Sequence, residues 1–289
     1  MSQSTKWLLS IFLVLGASCL CGCEFLAPRE QISVPTRNIN ANQIAGQGYL
    51  HRREVITPSF KLVSYQPDVI VGNTLRIYIE GDGHAWENSQ TVSDDPTPIN
   101  PISLRLAIAD PSKASVYLAR PCQFQDNLKG LDQTQCPSRY WANERYSKVV
   151  VDSLNLAIDQ LKRQYHAKQV MLIGYSGGGT LAILCAAMRD DVSEIVTIAG
   201  NVSVRAWTQE MGLAKLNGSL DPVDYAQNVS HIPQWHFIGE KDEIVRAAMM
   251  NSYLTYFLKD SPIKVITIKN FGHQCCWDEQ WPFLLKQIQ

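Results

Sequence analysis

The sequence has no excess of either charge. Its 26 lysine and arginine residues nearly balance its 27 aspartate and glutamate residues, for a formal net charge of −1 at pH 7. Domains that bind nucleic acid or an anionic membrane surface through electrostatics are strongly basic, and this balance excludes such a footprint. We therefore expect no nucleic-acid partner.

Long apolar runs are also scarce, and no internal repeat of a solenoid period is visible. The main exception is the almost unbroken apolar segment from Trp7 to Leu20, about fourteen residues, which is too short to cross a bilayer comfortably. Lys6 precedes it, and a positive residue before a short apolar run is typical of a signal peptide. We therefore exclude residues 1–22 from the folded domain.

The end of this segment, Leu20-Cys21-Gly22-Cys23, resembles the lipobox of bacterial lipoproteins. The resemblance implies cleavage before Cys23, lipidation of Cys23 and a membrane anchor. Glu24 replaces the aspartate typical of inner-membrane retention, which implies a cell-envelope location at the outer membrane, facing the periplasm. A plain cleaved signal peptide is the alternative. Residues 23–48 are polar and without periodicity, so we interpret them as the lipidated N-terminus and a flexible tether.

The remaining cysteines agree with export to an oxidising compartment. They are Cys122, Cys136, Cys185, Cys275 and Cys276. Cys122 and Cys136 bracket a polar stretch, which predicts a disulfide that closes a surface loop. An odd number leaves at least one thiol free. Cys275 and Cys276 could pair with each other, involve Cys185, or stay reduced, and the sequence does not decide between these.

Residues 49–289 alternate between strand-like and helix-like segments. Strands are predicted over 61–65, 74–80, 115–119, 169–174, 194–199, 234–239 and 263–268. Helices are predicted over 147–164, 180–188 and 277–288. This alternation is typical of an α/β domain, with a mostly parallel central sheet and helices on both faces.

A glycine-rich segment, Gly174-Tyr175-Ser176-Gly177-Gly178, lies between a predicted buried strand and a predicted helix. This context suits the nucleophile turn of a G-x-S-x-G hydrolase, where residues two positions before and after the serine must be small. A phosphate-binding turn is the alternative, but the G-x-G-x-x-G order and the P-loop lysine are absent. We predict that Ser176 is the nucleophile.

A serine nucleophile needs a base, and the base needs an orienting acid. Asp242 follows the strand predicted over 234–239 and is the predicted acid, with Glu240 as the alternative. His273 is the only one of six histidines that follows the acid, and it is the predicted base. A metal-ligand role for His273 beside the two adjacent cysteines is the alternative. We expect no metal, because no second cysteine or histidine pair has structural zinc spacing.

Catalysis by a serine also needs two backbone N–H groups that stabilise the oxyanion. Gly177, directly after the nucleophile, is the first predicted donor. The second should come from the loop after an early strand, where Gly81-Asp82-Gly83 follows the strand predicted over 74–80. We predict Asp82, with Gly83 as a close second. An ordinary Gly-Asp-Gly turn is the alternative.

From about Leu50 to Gln289 the chain resembles the α/β-hydrolase superfamily. The resemblance is carried by the segment 174–178, by residues 239–242 and by Gly272-His273. It is also similar to proteobacterial hydrolase-like lipoproteins in the stretches 80–84, 118–123, 140–141 and 275–277. Only about thirty residues, Arg205 to Gln234, are available between two predicted strands where members of the superfamily often insert a helical lid. The resemblance therefore implies the α/β-hydrolase fold with little or no lid.

These residues together predict a serine hydrolase, esterase- or thioesterase-like, that works through an acyl-enzyme without a cofactor. The expected substrate is a small molecule or an acyl group of the cell envelope, including amides. An acyltransferase with the same triad is one alternative. A catalytically silent binding or scaffold lipoprotein is the other. The oligomeric state and the chain length of the substrate are not determined by the sequence.

Overall fold

The computed structural model describes residues 32–88, 90–125 and 136–288. The signal peptide and the lipidation of Cys23 lie outside the described residues. Ile32–Gln289 forms one compact unit. In the part of the chain that is described, no helix is both long and apolar enough to cross a membrane.

A single sheet of eight strands forms the centre of the domain. The strands are β1 (His51–Ile56), β2 (Lys61–Gln66), β3 (Thr74–Ile79), β4 (Ser115–Leu118), β5 (Gln169–Tyr175), β6 (Val192–Ile198), β7 (Gln234–Gly239) and β8 (Ile263–Ile268). Their order is β1-β2-β4-β3-β5-β6-β7-β8. Strand β2 is antiparallel to both of its neighbours, β1 and β4, whereas β3 to β8 are all parallel to one another. The predicted mostly parallel sheet is confirmed.

Seven α-helices connect and cover the strands among the described residues. They are α1 (Val34–Gln47), α2 (Ile102–Ala109), α3 (Lys148–Gln164), α4 (Gly177–Ala186), α5 (Val204–Glu210), α6 (Ala247–Leu254) and α7 (Trp277–Leu284). Short 3₁₀ segments cover Ser138–Tyr140, Pro222–Val229 and Leu285–Gln287. Only α5 and one 3₁₀ segment lie between β6 and β7, so no helical lid is inserted there.

The sheet separates two apolar layers, because successive side chains of a strand point to opposite faces. On one face, Ile77 of β3 packs in the layer that contains α3 and α4. On the other face, the neighbouring Tyr78 packs with α1, α2 and α7. The helices therefore cover both faces, as the α/β-hydrolase fold requires.

The structure contradicts the tether predicted for residues 23–48 over 34–47, where α1 forms. The Ser33 side chain accepts a hydrogen bond from the Thr36 N–H and caps the helix. Ala41 and Ala45 are buried, and the Arg37 guanidinium donates to the carbonyl of Thr97 at 3.0 Å. Two buried alanines give only a weak apolar pattern, so the sequence does not predict this helix. The folded domain begins near residue 32 and not at 49.

Four further elements, β1, α2, α5 and α6, are absent from the sequence predictions. The edge strand β1 leaves most of its side chains exposed or half-exposed, so it has no clear alternation. The others are seven or eight residues long, which is short for recognition from a helical period. The parallel strands β3, β5, β6, β7 and β8 nevertheless end at one edge of the sheet, and the candidate site lies there.

Candidate active site

Ser176 lies in the turn between β5 and α4, with φ 52° and ψ −121°. This left-handed φ is rare for a residue with a side chain and is typical of a strained nucleophile turn. A Cβ on Gly174 would overlap the carbonyl of Gly178, and one on Gly178 would overlap the carbonyl of Ile79. The two glycines are therefore required by the close approach of turn, helix and strand.

His273 lies in the loop after β8 and contacts Ser176 directly. Its Nε2 is 2.9 Å from the Ser176 Oγ, and its Nδ1 is 2.9 Å from the Asp242 Oδ2. Since a carboxylate only accepts hydrogen bonds, Nδ1 carries the proton and Nε2 can accept from the serine hydroxyl. The ring is therefore oriented as a general base toward Ser176.

Asp242 is buried in the loop after β7, and its two oxygens have different partners. Oδ1 accepts hydrogen bonds from the N–H groups of Ile244 at 2.9 Å and Val245 at 2.8 Å. Oδ2 remains for His273. The alternative acid, Glu240, is exposed and accepts instead from the Asn270 N–H at 3.1 Å. Burial and orientation therefore favour Asp242.

Two side chains that the sequence analysis did not identify hold the backbone of His273. The Tyr175 hydroxyl and the Trp277 Nε1 each donate to the His273 carbonyl at 3.0 Å. The Tyr175 ring also packs against the imidazole, with 5.3 Å between centroids. Tyr175 directly precedes the nucleophile, so the same residue links the two reacting groups.

The segments that carry the predicted oxyanion donors adjoin Ser176. Gly177 is the first residue of α4, and the first N–H groups of a helix have no acceptor within it. The Gly81 backbone is close enough that a Cβ there would lie 3.4 Å from the Ser176 Cβ. Gly83 has φ 66°, and a Cβ there would overlap the Pro96 carbonyl. The Gly81–Gly83 loop and Gly177 thus adjoin the nucleophile together.

The side chain of Asp82 turns into an ion-pair cluster with Arg120 and Arg145. Burial alone would raise the pKa of Asp82, but the charges of the two arginines and their hydrogen bonds outweigh it and hold that pKa below its usual range. The sequence analysis does not identify either arginine. Arg120 follows β4 as Asp82 follows β3, and the carboxyl ends of adjacent parallel strands lie side by side. The positions of the two residues after these strands are therefore the feature of the sequence that could have indicated their contact.

A second carboxyl group, Glu80, is buried at the end of β3. Its Oε1 accepts the Gly81 N–H at 2.8 Å. Burial raises the pKa of Glu80 to about 7, although hydrogen bonds from neighbouring groups act in the opposite direction. Near neutral pH this group can therefore be protonated or charged.

A cleft of about 440 Å³ opens above Ser176. The Gly81–Gly83 loop, His84, Ser176 and His273 line it. Its apolar walls consist of Pro98, Ile99, Ile102, Trp207, Ile244 and Val245. The Trp207 indole is held by a 2.9 Å hydrogen bond to the Ile244 carbonyl, so this wall is rigidly connected to the acid loop. The cleft therefore offers apolar surface beside the reacting groups.

The cysteines form two disulfides among the described residues. One joins Cys122 and Cys136, the pair predicted from the sequence. The other joins the adjacent Cys275 and Cys276, and Cys185 is free and buried. Along the chain, Cys122 lies two residues after Arg120, and Cys275 and Cys276 lie between His273 and α7.

The fold and the site define the class of the protein as an α/β-hydrolase. The chain is similar to an α/β serine hydrolase homologue from Coxiella burnetii, with 15% identity and a TM-score of 0.53, covering 82% of this chain and 95% of that one. It is similar to the esterase Pf2001 of Pyrococcus furiosus, with 14% identity and a TM-score of 0.58, covering 84% and 92%. It also resembles puromycin hydrolase, with 13% identity, a TM-score of 0.57 and 82% of this chain covered, and it spans 38% of that protein's length.

The sequence matches the model of the family described as Serine hydrolase (FSH1) over residues 104–274, more than half of the chain. The chain belongs to this serine hydrolase family. The matched range includes Ser176, Asp242 and His273. None of the curated proteins compared with the sequence matches it.

Proposed function

We propose that this serine hydrolase is an esterase that uses Ser176, His273 and Asp242 as a catalytic triad. The observation that carries the proposal is the unbroken chain of contacts from Ser176 Oγ to His273 Nε2 and from Nδ1 to Asp242, each 2.9 Å long. A serine in a left-handed turn, within reach of a base that is itself oriented, has the geometry of an activated nucleophile.

In the proposed reaction, the Ser176 oxygen attacks the carbonyl carbon of the substrate while its proton passes to His273 Nε2. The Gly177 N–H and the Asp82 N–H donate to the oxyanion, with Gly83 as the alternative second donor. His273 then gives the proton to the leaving alcohol, and an acyl-enzyme remains on Ser176. Water, deprotonated by His273, hydrolyses this ester and restores the serine.

The proposed substrates are esters of modest size, from small molecules or from acyl groups of the cell envelope. The open cleft and its apolar walls support this class, since an apolar surface beside the nucleophile binds the hydrocarbon part of an ester. The structural neighbour named a puromycin hydrolase motivates a comparison of amides with esters. Hydrolysis of p-nitrophenyl butyrate beside the matching p-nitroanilide distinguishes the two bond types.

The experiment that tests the triad is labelling of the purified protein with a fluorophosphonate probe. We expect the wild type to be labelled, Ser176→Ala to remain unlabelled, and His273→Ala to react at least about 100-fold more slowly, because general-base catalysis contributes about 10²–10⁴-fold. His231→Ala is the matched control, since His231 is exposed and does not line the cleft. A folded wild type that neither reacts nor hydrolyses esters contradicts the proposal and favours a binding role.

A further inference from the structure

The Asp82 carboxylate is held by three side chains from two other segments. Arg145 Nη1 lies 2.7 Å from Oδ2, and the Tyr146 hydroxyl donates to Oδ1 at 3.0 Å. Arg120 Nη1 contacts Oδ1. Each arginine side chain is only 4% exposed, whereas Asp82 keeps 23% of its side chain exposed. The carboxylate is therefore fixed from the interior of the protein and not from solvent.

This cluster contains more positive than negative charge. Among the described residues, Asp82 is the only carboxylate in an ion pair with either Arg120 or Arg145. By contrast, Arg189, also nearly buried, pairs with both Asp159 and Asp191. Burying ions costs several kcal/mol each, and well-packed apolar residues often stabilise a fold equally well or better. A second buried arginine is therefore poorly explained by stability alone.

The cluster packs directly against the residue that follows the nucleophile. A Cβ on Gly177 would overlap the Asp82 Oδ1 and lie 2.6 Å from the Tyr146 hydroxyl. Asp82, Tyr146 and Gly177 all line the same cleft as Ser176. Any shift of the Asp82 side chain would therefore change the space next to the oxyanion.

The backbone of the Gly81–Gly83 loop is held by the same segment that supplies Arg120. Gln123 Nε2 donates to the Gly81 carbonyl at 3.0 Å, and Gln123 Oε1 accepts the Arg120 N–H at 3.1 Å. Arg120 Nη2 in turn donates to the Arg145 carbonyl at 2.7 Å. The arginines thus hold the loop through the side chain of Asp82, and Gln123 holds it through the carbonyl of Gly81. The Asp82 N–H donates to no described residue and remains available to a substrate oxygen.

We propose that Arg120 and Arg145 are positioning residues for oxyanion stabilisation, which hold the Asp82 side chain so that the Asp82 N–H stays beside Ser176. This inference rests on the proposed function. It assigns to the two arginines a role in the transition state and not in substrate binding, because neither guanidinium lines the cleft. Their removal should therefore change kcat and leave KM nearly unchanged.

The test compares Arg120→Met, Arg145→Met and Arg145→Lys with Arg189→Met. Methionine retains an apolar stem of similar length, and Arg189→Met removes a nearly buried guanidinium that pairs with Asp159 and Asp191 outside the cleft. Hydrolysis of p-nitrophenyl butyrate gives kcat and KM, with active sites counted by fluorophosphonate labelling. Inhibition by a trifluoromethyl ketone reports on the oxyanion separately, because its hemiketal on Ser176 carries the oxyanion charge without turnover.

We expect kcat per labelled site to fall about 10- to 100-fold in both methionine variants, below the full loss of about 10²–10³ for deletion of a donor. The affinity for the trifluoromethyl ketone should fall by a similar factor, KM should change less than about two-fold, and Arg145→Lys should recover part of kcat. Arg189→Met should keep the kcat of the wild type. This pattern supports the inference.

Two results would overturn the inference while leaving the triad intact. One is a wild-type kcat per labelled site in both methionine variants. The other is a loss confined to KM, with unchanged affinity for the ketone. If the methionine variants do not fold, Asp82→Asn replaces them, because it keeps the size of the side chain and removes the charge that the arginines hold. The inference then predicts a lower kcat per labelled site and a lower affinity for the ketone in Asp82→Asn, with KM nearly unchanged. An inactive and unlabelled wild type instead contradicts the proposed function itself.

Discussion

Glu80 and Asp82 are two carboxyl groups separated by a single glycine, and their surroundings shift their pKa values in opposite directions. Burial without a cationic partner raises the pKa of Glu80 to about 7. The two arginines beside Asp82 more than offset its burial and lower its pKa. The segment from Glu80 to Asp82 therefore combines a carboxylate that stays charged with a carboxyl group that titrates near neutrality.

Glu80 should make the free energy of unfolding decrease with rising pH. Its pKa is 4.5 for the unperturbed group and about 7 in the fold, so between these values the folded protein binds more protons than the unfolded chain. Stability is therefore lost as the pH rises through this window, by at most about 3.5 kcal/mol, since each pKa unit corresponds to about 1.4 kcal/mol. Glu80→Gln should remove this slope in urea unfolding measured at several pH values.

The exposed Glu243 supplies the control for this measurement. Glu243→Gln should unfold with the same pH dependence as the wild type. If the free energy of unfolding of Glu80→Gln varied with pH in the same way as that of the wild type, the pKa of Glu80 would be the same in the folded and the unfolded protein, and the prediction would be wrong. Such a result would also show that the buried carboxyl does not contribute to the pH dependence.

Helix α7 connects the base to the core through two buried tryptophans. The Trp277 Nε1 donates to the His273 carbonyl, whereas the Trp281 Nε1 donates to the Tyr78 hydroxyl at 2.8 Å. The two tryptophans lie one turn apart in the same helix, and both are fully buried. Their hydrogen-bond partners differ, and of the two it is Trp277 that donates to the loop of His273.

Trp277→Phe should lower kcat about 10-fold and leave KM nearly unchanged. Phenylalanine keeps an aromatic ring at this position but cannot donate a hydrogen bond, so the His273 carbonyl accepts only from the Tyr175 hydroxyl. Small displacements of a catalytic group strongly reduce rates. Trp281→Phe, the control on the same helix, should lower stability by about 0.5–1.5 kcal/mol through the lost hydrogen bond to the Tyr78 hydroxyl, which still donates to Asp110, and should retain kcat. Steady-state kinetics and urea unfolding of both variants test this, and equal effects on kcat contradict it.

At the scale of the whole molecule, α1 changes the distance between the domain and the proposed anchor. Because the domain begins near residue 32, only residues 24–31 separate it from Cys23. A lipid on Cys23 would then hold the domain close to the membrane surface. The chain's own net charge of −1 gives no electrostatic attraction to that surface, so retention there would depend on the proposed lipid.

We predict that Cys23→Ser releases the protein from the membrane. Expressed in a bacterial host with its N-terminal segment, the wild type should partition into the detergent phase of a Triton X-114 extraction, and Cys23→Ser into the aqueous phase. Cys21→Ser, two residues earlier in the segment, should behave as the wild type. Mass spectrometry of the wild type that finds an unmodified Cys23 or a different N-terminus contradicts the prediction.

Much of the site could be predicted because its parts follow local rules. The Ser176 turn requires small residues at fixed positions between a strand and a helix, and these requirements are visible within a few residues. The order of acid and base along the chain restricts the base to His273. The alternation of strands and helices predicts the parallel sheet. By contrast, α1 depends on two small alanines and on the bonds of Arg37, which leave little pattern in the sequence.

By itself, the sequence determined the class of fold and placed the predicted nucleophile turn and the predicted base, because each depends on the backbone needs of neighbouring residues or on chain order. Only the tertiary structure decided between Asp242 and Glu240, since burial and the N–H groups of Ile244 and Val245 select one carboxyl group. It alone brought Arg120 and Arg145 to Asp82, across 38 and 63 residues of chain. Such contacts depend on which strands are neighbours in the sheet, and that order is established by packing of the whole domain.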